Sequence, residues 1–267
     1  MTMDLHNREI EMCTVKNEME NSRSIKDEAF EFLWFSYFGI RKEDTDEKAE
    51  NGKKNELITI CAQRAYLDLC RTIKFVKDES KNNISKKEKD ERADFQGAIC
   101  EIIAGNIKYH ILKSDEDSYD DIHKKVCTFI IEKVNSYKDD FMADNFTYGQ
   151  AQKWLNMTIK YMYLMGFWKD EFKNIEKALH IPVDSYIIQA VWGNDDIKLP
   201  LIKDKLLKNG TRGAYSDEKI KKWSKWRRYE YRRFQNTLKK YLAENLPDKT
   251  PLEWEAEVWM GAANENK

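Results

Sequence analysis

Apolar side chains recur three and four positions apart along most of this chain, the period of helices with one buried face, and runs that alternate apolar with polar are scarce. The pattern predicts a helix over residues 25–40, with Phe30, Leu33, Trp34, Tyr37 and Phe38 on one broad buried face. A second helix is expected over 55–77, its core positions being Leu57, Ile60, Ala65, Leu67, Leu69 and Ile73, a third over 95–112 and a fourth over 119–137. Asp144, Asn145, Thr147 and Gly149 supply turn and cap chemistry ahead of a fifth helix over 148–167. A short helix over 169–179 ends at His180-Ile181-Pro182, because a residue before proline is pushed out of helical conformation, and Asp184 opens the next helix, which runs to Trp192. The last element is a long amphipathic helix over 217–245, with Trp223, Trp226, Tyr229, Tyr231, Phe234 and Leu238 interleaved among charges. Segments 41–54 and 80–92 read as charged connectors.

Composition sharpens this into an all-α fold: 4 Pro and 10 Gly in 267 residues leave few helix breakers. The length suffices to bury a core without staples, and the expected organisation is a polar arm over 1–22 followed by one compact helical unit over 23–267. The 5 cysteines are odd in number and scattered, with no CxxC pair, which argues against a disulfide framework and a zinc site and favours a reducing compartment. No apolar run approaches the roughly 18 residues that span a bilayer, and the first residues are acidic. A cytoplasmic protein without membrane contact is expected. The net charge of −1 hides an asymmetry: residues 1–51 carry 7 Lys/Arg against 13 Asp/Glu, and residues 198–241 carry 15 against 4.

Candidate chemistry sits on the helix after Gly149. Trp154, Leu155, Met157, Ile159, Tyr161 and Met162 make it apolar around most of its circumference, yet Lys153, Asn156 and Lys160 share one face at spacings of three and four. An ammonium buried there costs several kcal/mol unless it is paired or neutral, and a neutral amine is a nucleophile. Asp184 is the carboxylate expected to meet the stripe, since a short helix and a turn can return the chain beside Lys153. On spacing alone, two lysines reaching solvent and an aspartate capping a helix explain the same residues.

Gln152-Lys153, Lys160 seven positions on, and Ile181-Pro182-Val183-Asp184-Ser185 together resemble the archaeal-type 8-oxoguanine DNA glycosylases of the helix-hairpin-helix superfamily. In that family a Gln-Lys opens the second helix of the motif, a second Lys follows two turns later, and an Ile-Pro-Leu-Asp-Ser style turn lies downstream. The resemblance covers residues 152–188 and implies two packed helical lobes with a cleft between them, the hairpin region falling within 118–168. It implies Lys153 as a Schiff-base nucleophile, Asp184 as the catalytic carboxylate, Lys160 as an auxiliary residue, and Gly149 in the phosphate-binding turn. The family's hairpin carries two glycines, whereas Met142 to Gln150 holds Gly149 alone.

The residues suit that chemistry in their own right. Cleaving an N-glycosidic bond passes through an oxocarbenium-like sugar that a carboxylate stabilises, and an amine at the anomeric carbon gives an adduct that rearranges to an imine. The partner would be DNA with a modified base flipped from the helix, and Gln152, Asn156 and Trp154 are candidates for the base pocket. Lys219 to Arg233 carries eight basic residues among aromatics, so Lys221, Lys222, Lys225, Arg228 and Arg232 are the expected phosphate ligands. His6, His110, His123 and His180 stand apart in sequence without metal-ligand spacing, and nucleotide-binding loops are missing, so neither metal nor cofactor is expected. Base excision, in repair or in defence against phage with modified DNA, is the leading expectation. A noncatalytic nucleic-acid-binding or phage-defence protein and a helical protein-interaction module are the alternatives.

Overall fold

The computed structural model describes residues 31–41, 54–76, 85–137, 141–166, 168–192, 197, 203–207 and 215–265. The chain divides into two units, Met1–Leu57 and Ile58–Lys267. In the first, residues 31–38 are helical; Trp34 is buried and packs its ring 5.4 Å from that of Phe38, while Leu33 and Tyr37 are exposed. The buried face expected there is therefore narrower than the periodicity suggested. Phe30 and the 1–22 arm lie outside the described residues.

Among the described residues of the second unit the regular elements are helices, apart from one antiparallel hairpin and a single bridge between Phe75 and Met142. Its long elements are α1 (Lys54–Leu69, which begins just before the unit boundary), α2 (Lys86–Tyr109), α3 (Glu116–Asn135) and α4 (Tyr148–Leu164). Then come α5 (Lys169–Lys173), α6 (Ser185–Trp192), β1 (Lys203–Leu207), β2 (Tyr215–Ile220), α7 (Arg228–Asn245) and α8 (Pro251–Glu265). No helix among the described residues is long and apolar enough to cross a membrane.

Helix starts are fixed by local chemistry. Ser85 with Glu88, Asp115 with Ser118 and Thr147 with Gln150 form reciprocal capping boxes on α2, α3 and α4, each satisfying amides that would otherwise be orphaned. The box at Ser85 explains why the charged run 86–92 is helix and not connector. α1 stops short of the expected boundary: Ile73 is extended, and residues 74–76 pair with 141–143 through Ala143 N to Lys74 O at 2.9 Å and Val76 N to Phe141 O at 3.0 Å. Leu67, expected in the core, is exposed.

α4 is the core helix. Every residue from Tyr148 to Ile159 is buried, and α3 packs on one side of it while α7 and the 3-10 turn Trp223–Lys225 pack on others. Trp154 anchors the centre: fully buried, it donates its indole N–H to Ala62 O at 2.9 Å and lies 5.1 Å from the Tyr66 ring. The long helix expected over 217–245 is three elements, β2, the 3-10 turn and α7. Gly149 accounts for the break, since a Cβ on it would come within 1.9 Å of Trp223 O. The backbone at Trp223 lies directly on the first turn of α4, an approach that only a bared backbone allows.

Candidate functional site

Lys153 lies in the second turn of α4 and is 3% exposed. Its Nζ stands 3.0 Å from Oδ2 of Asp184, which is brought back beside α4 by the turn Ile181-Pro182-Val183. Asp184 does two things at once. Oδ1 accepts the N–H of Ile187 at 3.0 Å and so caps α6, leaving Oδ2 for the lysine and for the indole N–H of Trp259, at 3.1 Å. The start of α6 points a free amide at this carboxylate, which also lies against the Lys153 ammonium.

Two turns along α4, Lys160 hydrogen-bonds Glu255 of α8. Glu255 is 1% exposed, and burial raises its carboxyl above the ordinary range, opposed by the Lys160 charge. Glu255 and Trp259 are one turn apart on α8, so a single face of that helix serves both lysine–carboxylate pairs. Trp259 and Tyr186 of α6 meet edge to face with centroids 5.4 Å apart, each a little over one-third exposed, at the outer edge of Asp184. The sequence pattern does not mark α8 as part of the site. The spacing Glu255 to Trp259 was its one available signal, and an ordinary amphipathic helix gives the same.

The other base-pocket candidates are deep. Trp154 belongs to the core contacts above, on the Ala62 side of α4, and Gln152 and Asn156 are fully buried. Asn156 instead joins a network that the sequence did not reveal. Its Oδ1 accepts from His123 Nε2 at 2.8 Å, and its Nδ2 faces Tyr231 Oη at 2.7 Å, Ile181 O at 3.1 Å and Gln152 Oε1 at 3.1 Å. Tyr231 Oη lies 2.9 Å from His180 Nδ1, and His180 Nε2 lies 2.8 Å from Asp120 Oδ1, which also receives Lys239 Nζ at 2.8 Å. Burial drives the His180 imidazole down to about 4 and that of His123 well below its usual value, while the His180 hydrogen bond holds Asp120 below the carboxylate range. The two histidines, far apart in sequence, have ring centroids 4.4 Å apart.

The expected phosphate ligands divide. Lys222, Lys225, Arg228 and Arg232 are exposed, as are Arg227, Arg233 and Tyr229, although Lys225 stands 3.6 Å from Asp144. Lys221 is turned inward onto Glu230 at 2.7 Å and is 16% exposed at its side chain. Gly149 is buried, with its N–H donated to Trp226 O at 3.0 Å, so its amide is engaged by protein. That contact seats the basic segment on the N-terminal turn of α4, one turn before Lys153. A groove of about 820 Å³ lies elsewhere, between α2 and α3, lined by Tyr109, Ile122, Val126 and Phe129 among others. Among the described residues no group of three or more His, Cys, Asp or Glu side chains could hold a metal ion. No protein-family model, curated protein sequence or solved structure matches this chain.

Proposed function

We propose that this chain is a DNA glycosylase of the helix-hairpin-helix type with abasic-site lyase activity, acting on a modified base through Lys153 and Asp184. The observation that carries the reading is the sheltered pair itself: a lysine 3% exposed and 3.0 Å from a helix-capping carboxylate, on the helix whose first turn supports an exposed basic surface. In this reading Asp184 takes a proton from Lys153 and the freed amine attacks C1′ of the sugar. The C1′–N bond breaks, its electron pair leaves with the base, and the base takes up the proton held by Asp184. Asp184, ionised again, faces the positive charge on the sugar–amine adduct and accepts a proton from its nitrogen; the C1′–O4′ bond then opens, O4′ taking that proton, to leave the imine. The resemblance suggests oxidised guanine as the base, and a hypermodified phage base is the other substrate class considered. The two helical lobes with a cleft belong to the same proposal.

The complete charge pairing favours one other reading, a noncatalytic DNA-binding protein in which Lys153, Asp184, Lys160 and Glu255 form a buried ionic cluster. Borohydride trapping separates them. With an abasic or 8-oxoguanine duplex the wild-type chain is expected to give a covalent adduct that Lys153→Gln does not give. Absence of an adduct with abasic DNA, when the chain binds that duplex, would leave the noncatalytic reading.

A further inference from the structure

The buried network beside Lys153 has a single consistent assignment of protons. Asp120, ionised, accepts from His180 Nε2–H; His180 Nδ1 must then accept from the Tyr231 hydroxyl, whose oxygen accepts from Asn156 Nδ2–H. Asn156 Oδ1 accepts from His123 Nε2–H, and His123 Nδ1 faces Cys127 Sγ at 3.8 Å, a thiol donor. Every link runs toward the one carboxylate, and both imidazoles are neutral, as their burial requires. A chain of this kind has no proton to spare for chemistry, and His123, Asn156, His180 and Tyr231 are all buried, with only Asp120 at its end partly exposed. Its effect is mechanical.

Its mechanical target is the turn that carries Asp184. Gln235 grips Ile181 at two points, accepting its N–H at 3.3 Å and donating to its carbonyl at 2.8 Å, and Asn156 donates to the same carbonyl. His180, the residue before, is fastened by Tyr231, which lies one turn ahead of Gln235 on α7. Gln152 adds a long contact of 3.5 Å to Val183 O. Pro182, between them, has its φ fixed by the ring, so a clamp at Ile181 directs the chain at Asp184.

We propose that Asn156, Tyr231 and Gln235 are positioning residues that fasten the 180–184 turn to α4 and so set the approach of Asp184 to Lys153. The inference rests on the reading of those two as the reacting pair, but its test is independent of catalysis. Competitive acetylation with acetic anhydride, read by mass spectrometry, reports how often each lysine amine escapes its carboxylate. Lys160 on the same helix, paired with Glu255, serves as the internal reference. In Gln235→Leu, which removes both hydrogen bonds to Ile181, acetylation of Lys153 is expected to rise at least about fivefold, the net worth of one of them, with Lys160 unchanged. A rise shared equally by both lysines marks general loosening and overturns the proposal, as does an unchanged Lys153 in a folded variant. Should Gln235→Leu not fold, Tyr231→Phe, which removes one hydroxyl, gives the same two outcomes. Borohydride trapping of the wild type on abasic DNA, run beside it, judges the lysine chemistry separately: selective release of Lys153 without a wild-type adduct removes the reaction and leaves the positioning.

Discussion

Lys153 is safe in a helix core because Asp184 neutralises it, and Asp184 is there because a proline turn ends one helix and starts another. Removing one member of a buried pair leaves an uncompensated charge, which costs far more than removing both. Asp184→Asn keeps an oxygen to cap Ile187 and loses only the charge, so its cost isolates the pair. Urea denaturation is expected to show a loss of about 3 kcal/mol for Asp184→Asn, substantially relieved in the Lys153→Met/Asp184→Asn double variant. Equal losses in the single and double variants would mean that the pair contributes no coupling. Sequence spacing brought forward Lys153, Asn156 and Lys160 as a polar stripe in an apolar helix, and the proline turn together with the family resemblance brought forward Asp184. It could not name Glu255, Trp259 or the hydrogen bonds His180–Tyr231, His180–Asp120 and Asp120–Lys239, which join residues 51 to 119 positions apart along the chain.

Among the elements, α4 decides most of the arrangement. Its apolar circumference and its start after Thr147 were readable, since they depend on neighbours within one or two turns. The break in the basic segment was not, because the aromatic spacing from Trp223 to Leu238 suits a helix and the interruption comes from backbone packing on Gly149. Gly149→Ala therefore forces either α4 or the Trp223–Trp226 turn to move. A destabilisation of about 2–3 kcal/mol is expected, the usual cost of overpacking against backbone, measured by chemical denaturation. A neutral or stabilising result would contradict the close approach.

Across the whole molecule, charge sets two behaviours. Burial holds His180 at about 4 against an ordinary 6.5, so between those values the unfolded chain binds a proton that the folded chain refuses. Stability fully present above pH 6.5 is lost as pH falls through that window, and His123, depressed by its own burial, acts in the same sense. Asp120, held low, adds loss only below its ordinary 3.8, whereas Glu255, raised from 4.5, works in the opposite sense above that value and offsets part of the histidine effect. The midpoint of thermal unfolding should be lower at pH 5 than at pH 7, and a flat profile between them would contradict neutral buried histidines. The second behaviour concerns the exposed basic surface. If it binds duplex DNA, affinity falls steeply with salt, and replacing Lys222, Lys225 and Arg228 with Gln is expected to lower the slope of log affinity against log salt by roughly 2–3. An unchanged slope would locate phosphate binding elsewhere.

By itself the sequence determined the helical class, most helix starts and the turn at Pro182, since propensity, capping and periodicity act over a few residues; it brought Lys153, Lys160 and Asp184 forward only as candidates. Tertiary structure alone decided that Lys160 meets Glu255, that Gly149 supports a crossing backbone and not an open turn, and that two separate histidines and a tyrosine share one buried hydrogen-bond chain. Those outcomes depend on which surfaces the folded chain removes from water together, and a polar group removed from water takes whatever partner the packing brings within reach.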